Sequence, residues 1–203
     1  MNNFKFDEES HTYYLDGIKI PSVSEVISPL SDFSNINAAV LENACNYGKA
    51  VHKTIELHLK DYLDEDSLSE GLKQPLEQFK RFMGNSYNTT YYTIEKPLYD
   101  SSFRFAGTPD LVSDKYIIDI KTRKYNPVTD DLQLAAYEIL VGYDRTSVKG
   151  KREKYILELL PNEPFNLIRV SNRQAKSMFL YMLTYWHKTN EFNEKIKGWK
   201  KCR

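Results

Sequence analysis

The chain has 203 residues, enough for one domain with a buried core. Lysine plus arginine number 28, as do aspartate plus glutamate, so the formal net charge is zero; this excludes a protein that coats nucleic acid through a large basic excess. Its cysteines, Cys45 and Cys202, are too few and too far apart for a disulfide framework, a four-thiolate zinc site or an iron–sulfur cluster.

The opening residues, MNNFKFDEES, are polar and do not read as a secretory signal. No apolar run approaches the roughly 20 residues needed to span a bilayer. A soluble, cytoplasmic protein with no membrane partner is expected. Asp16-Gly17 lies between the β-prone runs Thr12–Leu15 and Ile18–Ile20, the pattern of a two-residue hairpin turn. After Pro21, Ser22-Val-Ser-Glu25 is a capping box that opens a short helix. Ile36 to Tyr62 reads as helix, with Val51, Ile55, Leu59 and Tyr62 as its core stripe. The acidic stretch Leu63–Gly71 reads as a solvated loop, followed by a helix from Lys73 to Phe82. Three β-like runs come next: Tyr91–Tyr99, Phe103–Val112 and Tyr116–Thr122.

Asp130 and Asp131 suit a helix N-terminus, and Leu132–Val141 continues that helix. Strands are expected at Tyr155–Leu160 and Asn166–Val170. A second capping box, Ser171-Asn-Arg-Gln174, is expected to open a helix through His187, with Ala175, Phe179, Met182 and Trp186 inward. A basic tail, Lys195–Arg203, carries Trp199. This order of elements is a mixed α/β arrangement in a single domain.

The chemistry concentrates in Gly107-Thr-Pro-Asp110 and Ile118-Asp-Ile-Lys121. On a strand, Ile118 and Ile120 share the face that anchors in the core, while Asp119 and Lys121 project together from the other. With Asp114-Lys115 as a two-residue turn, Ser113 pairs with Tyr116 and Asp110 falls opposite Asp119; a three-residue turn would shift this by one place. Opposed like charges destabilise a sheet unless a cation neutralises them. Magnesium is typically held by one or two carboxylates plus water and substrate phosphate, which matches what the two aspartates offer. Lys121 is placed to stabilise charge on a scissile phosphate or help activate the attacking water. Taken alone, Asp-x-Lys reads as a solvated ion pair. Its companions are His52, in Gly48-Lys-Ala-Val-His52 near a helix start, Glu95 on the preceding strand candidate, and Gln133 and Tyr137, four apart on one helix face.

In this order the pieces Gly48-x-x-x-His52, Glu95, Gly107-Thr-Pro-Asp110, Asp119-Ile-Lys121 and Gln133-x-x-x-Tyr137 resemble the PD-(D/E)XK nuclease superfamily, within it the RecB-like exonuclease branch. They span residues 48 to 137. The stretch from Ser10-His-Thr-Tyr13 through Asp16-Gly17 to Pro21-Ser-Val is similar to the start of phage-encoded and mitochondrial genome-maintenance exonucleases of that branch. The resemblance implies an α/β fold with a restriction-endonuclease-like core, a mixed central β-sheet of about four strands flanked by helices, preceded here by the β-hairpin. It divides the chain into a hairpin and short helix (1–35), a nuclease core (36–190) and the basic tail (191–203).

The resemblance further implies that Asp110, Asp119 and the backbone carbonyl of Ile120 hold the metal, with His52 contributing and Glu95 helping to hold the metal or its waters. Lys121 would be the catalytic lysine, and Gln133 and Tyr137 would position DNA and support the site. The cofactor would be Mg2+, with Mn2+ able to substitute, and no iron–sulfur cluster. DNA is the expected partner, with a recombination or single-strand-binding protein as a further one; the oligomeric state is left open. Lys49, Lys53, Arg123, Lys124 and the tail lysines are candidate phosphate contacts. The expected activity is a metal-dependent DNA exonuclease in phage or bacterial recombination, repair or processing. The alternatives are a structure-specific or restriction-like endonuclease of the same fold, and an inactive nuclease fold that only binds DNA.

Overall fold

A computed structural model describes the backbone of residues 3–87, 92–142 and 152–201, and the side chains of these except 86–87 and 192–201. Three antiparallel strands open the chain: β1 (Phe4–Asp7), β2 (Thr12–Leu15) and β3 (Ile18–Ile20). The expected turn is present, with Asp16 and Gly17 at φ 53° and 77°, the left-handed pair of a type I′ hairpin turn. Ser22 caps α1 (Val23–Ile27): its side chain accepts from the Glu25 amide, while the Glu25 carboxylate accepts from the Ser22 amide.

Helix α2 (Ala38–Leu59) begins at an Asn37 cap and buries Val51 and Ile55. Tyr62 is not part of its stripe. The helix stops at Leu59, Asp61 turns left-handed at φ 57°, and Tyr62 is 78% exposed. Helix α3 starts at Glu70, three residues before the expected Lys73, and runs to Phe82.

The three expected β runs become five short strands: β4 (Thr93–Ile94), β5 (Leu98–Asp100), β6 (Phe105–Gly107), β7 (Leu111–Val112) and β8 (Tyr116–Lys121). Proline explains the breaks. Pro97 and Pro109 have no amide to give a ladder, and each restricts the residue before it. Asp100 and Arg104 also end runs: the Asp100 side chain accepts from the Ser102 and Phe103 amides, and Arg104 is left-handed at φ 54°.

Helix α4 (Thr129–Gly142), strands β9 (Glu153–Glu158) and β10 (Asn166–Val170), and helix α5 (Ala175–Lys201) complete the chain. The second capping box does not form. Asn172, rather than Ser171, bonds the Gln174 amide, and the Gln174 carbonyl takes the Met178 amide. The last helix continues to Lys201, beyond the expected end at His187. The side chain of Trp199, and Cys202 as a whole, lie outside the described residues. No described helix is long and apolar enough to cross a membrane.

Among the described residues the central sheet has five strands in the order β10-β9-β8-β7-β4, one more than expected. β8 and β9 run parallel and the other neighbours antiparallel, so the sheet is mixed. On one face Ile117 and Ile156 pack against α1, α4 and α5 through Val23, Leu134 and Phe179. On the other, Ile118, Ile120 and Leu157 pack against Val51, Ile55, Phe79 and Phe82 of α2 and α3. The α/β fold is thus a mixed sheet between two helical layers. The N-terminal sheet packs Tyr13, Leu15 and Ile20 onto Ala106, and the Ala106 amide donates to the Pro21 carbonyl at 2.9 Å.

Gly107 sits where β6 meets α4. A Cβ there would come within 2.9 Å of Val23 Cγ2, 3.0 Å of Tyr137 Cε1 and 3.2 Å of Leu140 Cδ1. Gly107→Ala is therefore expected to destabilise the fold by about 1–3 kcal/mol through overpacking. Chemical denaturation measures this; unchanged stability would mean that α4 gives way without cost.

Candidate active site

The register of β7 on β8 is Leu111↔Ile118 and Val112↔Ile117, and the Ser113 amide donates to the Tyr116 carbonyl at 2.9 Å. This is the register of the two-residue Asp114-Lys115 turn, so Asp110, just before β7, lies opposite Asp119. On its other side β4 pairs Thr93↔Val112 and Ile94↔Leu111, and the Glu95 amide donates to the Asp110 carbonyl at 3.1 Å. Glu95, Asp110 and Asp119 therefore stand in one row across three neighbouring chain segments. Glu95 leaves the strand in a left-handed conformation, φ 46°, a strain of order 1–3 kcal/mol for a non-glycine residue that commonly marks functional sites.

Helix α2 brings His52 over this row. Its Nδ1 lies 3.2 Å from Asp110 Oδ1 and 3.5 Å from Glu95 Oε1, and its Nε2 3.1 Å from the Ile120 carbonyl. A Cβ on Gly48 would lie 3.4 Å from Thr122 Oγ1, ordinary contact distance, which puts this turn of α2 beside the end of β8. Asp110 uses its second oxygen, Oδ2, to accept from the Ile120 amide at 2.6 Å. His52, Glu95 and Asp110 offer ligand atoms all within 4.8 Å of one another, a grouping able to hold a metal ion.

Asp119 is outside that grouping. Its Oδ2 lies 2.7 Å from Lys121 Nζ, but the direction is too poor for a hydrogen bond and the atom is buried without one. The ammonium is instead directed to Gln133 Oε1 at 2.8 Å, and Gln133 Nε2 donates to Tyr137 Oη at 2.9 Å. Lys121, Gln133 and Tyr137 thus form a chain from β8 to α4. Tyr137 is buried, and this burial, with Asp119 and Asp110 nearby, holds its hydroxyl well above the usual range and therefore neutral.

The site's electrostatics are those of crowded carboxylates. Burial pushes Glu95 up to about 7, which the His52 bond moderates and Asp110 reinforces. Burial likewise raises Asp119 to about 6, against the pull of Lys121. Burial opposes a charged His52, but Asp110 and Glu95 outweigh it and hold the imidazole well above its ordinary value. Burial also works against ionised Asp110, yet His52 and Lys121 keep its carboxyl below the usual range. As an imidazolium, His52 presents both N–H groups to the acceptors that converge on it. A divalent cation would answer the same need: hard oxygen donors, one imidazole, and a buried Asp119 oxygen lacking a hydrogen bond.

These shifts predict how metal-free stability responds to pH. Glu95 and Asp119 bind protons more tightly folded than unfolded, so they penalise the folded state increasingly as pH rises from about 4 through 6 and 7. The raised His52 contributes stability that is likewise lost as pH rises through its folded value. Melting temperature in chelator is expected to fall from pH 5 to pH 8, and added Mg2+ should raise it more at pH 8 than at pH 5. Parallel melts with and without Mg2+ would show it, and a Mg2+ shift that is larger at pH 5 would contradict it.

The candidate phosphate contacts divide. Arg123 is clamped on buried Asp130, by Nη1 at 2.9 Å and Nη2 at 2.5 Å. Lys124 pairs with Glu163, and Lys53 with Glu56, each at 2.7 Å. Lys49 has no carboxylate partner among the described residues and is exposed. Two supports had no local signal in the sequence. The Tyr13 hydroxyl lies 2.8 Å from Thr108 Oγ1 and so props the loop that carries Asp110. Asp130 also accepts from the Asn126 amide, and so ties down the turn after Lys121 rather than only facing a helix terminus.

No protein-family model matches the chain, and no curated protein matches it. Among solved structures, that of a candidate exonuclease from Eubacterium rectale is similar, with a TM-score of 0.47 and 16% identity over 68% of this chain. The match spans 63% of that protein, less than two thirds of its length. A structure of LHK-Exo in complex with dAMP is similar with a TM-score of 0.40 and 12% identity, over 88% of this chain and 93% of that one. At these scores neither assigns a role to any residue of this chain.

Proposed function

We propose that the protein is a divalent-metal-dependent DNA exonuclease of the RecB-like PD-(D/E)XK type, acting in phage or bacterial DNA recombination, repair or processing. The observation that carries this reading is the row Glu95, Asp110 and Asp119 under His52, with Lys121 two residues beyond Asp119 on the same strand face. Asp110, Asp119, Glu95, His52 and the Ile120 carbonyl would hold Mg2+, or Mn2+ in its place. When bound, the ion supplies Lewis-acid polarisation of a phosphoryl oxygen and a more acidic water.

The chain's own residues do the remainder. Lys121 keeps a fixed positive charge beside the metal ligands, where a scissile phosphate would gain negative charge. Gln133 accepts from the lysine and donates to Tyr137, so its amide cannot turn without losing a bond, and the ammonium is held in place. The Asp130–Arg123 clamp keeps the segment after β8 from shifting. Lys49, exposed and one helical turn before His52 on α2, is assigned to a DNA phosphate, with Lys53 available only if it leaves Glu56.

Digestion of end-labelled single-stranded, double-stranded and closed circular DNA, with Mg2+ and with chelator, tests the reading. Mg2+-dependent release of short products from ends alone is the expected result. Cleavage of closed circles would move the assignment to an endonuclease, and turnover in chelator would overturn the metal mechanism.

A further inference from the structure

At the opposite end of the sheet from Asp119, a cavity of about 460 Å3 is lined by Arg152, Lys154, Arg169, Arg173 and Lys176. The β8–β9 register places it: Tyr116 pairs with Glu153, and Lys121 with Glu158. Asp119 pairs with Ile156, so Glu153 lies three strand residues away along the next strand, about 10 Å at roughly 3.3 Å per residue. Of the lining carboxylates, Glu138 answers Lys154 at 2.7 Å and Glu153 answers Arg169 at 2.5 Å. Three cations are left over in a chain whose formal net charge is zero.

Arg152 is the informative one. It is only 9% exposed, yet its sole partner among the described residues is neutral: its Nε donates to the Ser113 carbonyl at 2.6 Å. A guanidinium so deeply placed, with no carboxylate partner among the described residues, is unfavourable unless an anion completes it. Its planar fork suits the oxygens of a phosphate. Arg173 and Lys176 lie on the rim, exposed and without carboxylate partners among the described residues, at the start of α5, where backbone amides also favour negative charge.

We infer that this cavity is a second anion site, separate from the candidate active site, that binds the phosphate group of a nucleotide or nucleic acid. The inference stands whether or not the chain cleaves DNA, and binding in chelator tests it without turnover. The probes are inorganic phosphate, a deoxynucleoside 5′-monophosphate and a short labelled single-stranded oligonucleotide, each titrated into the full chain and into Arg173→Glu/Lys176→Glu. Arg173→Gln/Lys176→Gln serves as the milder pair if charge reversal impairs folding.

At least a tenfold rise in Kd in the variant is expected for the probe that the cavity serves. Weakened monophosphate binding would identify a free nucleotide as the ligand. Weakening of the oligonucleotide alone, with a salt slope reduced by about one to two, would identify strand phosphates. Weakening for inorganic phosphate as well would show that the phosphate group alone suffices. If the wild-type chain binds none of the three, or if both variants bind all three as well as it does, the inference is overturned.

Discussion

Asp119→Asn is expected to lower Mg2+-dependent cleavage of DNA by about a thousandfold in kcat, about 4 kcal/mol of barrier. Asp110→Asn should do the same. An amide keeps the shape of the carboxylate but not the charge that holds a hard cation. The folded state should survive. In chelator, burial already disfavours the Asp119 charge, and an asparagine at 110 still offers an oxygen to the Ile120 amide, which now bonds Asp110 at 2.6 Å. The Mg2+-induced rise in melting temperature should therefore shrink in both variants, while the metal-free melt changes little for Asp119→Asn and falls modestly for Asp110→Asn, which gives up the charge paired with His52. Full cleavage by either variant would remove the aspartates from the mechanism. A collapsed metal-free melt would mean that they are needed for folding instead.

Lys121→Met separates chemistry from metal binding. Methionine keeps the apolar stem but loses the ammonium that faces Asp119 and Gln133. Cleavage should fall by about 10²–10³-fold, the range for removing one fixed charge-stabilising group. The Mg2+-induced stabilisation should persist, because Lys121 holds no metal and its removal leaves Asp119 with one competitor fewer. Loss of both cleavage and Mg2+ stabilisation would make the lysine part of the metal site's architecture, and unchanged cleavage would end its catalytic assignment. Gln133→Leu acts through the lysine and should cost less, about tenfold, as is usual for groups that orient a ligand or catalytic side chain.

Much of this arrangement was legible in local patterns. Asp-Gly between two β-prone runs specified a hairpin because both residues tolerate the left-handed conformation whose twist matches the flanking strands. The alternation in Ile118-Asp-Ile-Lys121 sent the isoleucines into one core and the charges to the opposite face, since a strand repeats every two residues. The proposed turn at Asp114-Lys115 then determined that Asp110 faces Asp119. What misled was composition without backbone chemistry: Tyr91–Tyr99 and Phe103–Val112 are β-prone, but proline and left-handed residues cut each in two. Ser171-Asn-Arg-Gln174 has the letters of a capping box, but Asn172 takes the amide that Ser171 was expected to hold.

The sequence by itself determined which residues carry charge, which strand face they share and where the chain turns, because these depend on neighbours a few positions away. Only the tertiary structure decided what meets the Asp110 and Asp119 pair. α2 delivers His52 from 58 residues before Asp110, β4 delivers Glu95, and β2 props the Asp110 loop through Tyr13 and Thr108. It also decided that His52, Glu95 and Asp110 form the tight grouping while Asp119 stays outside it. Such contacts follow from how helices pack on a sheet and where the sheet ends, and no local period encodes them.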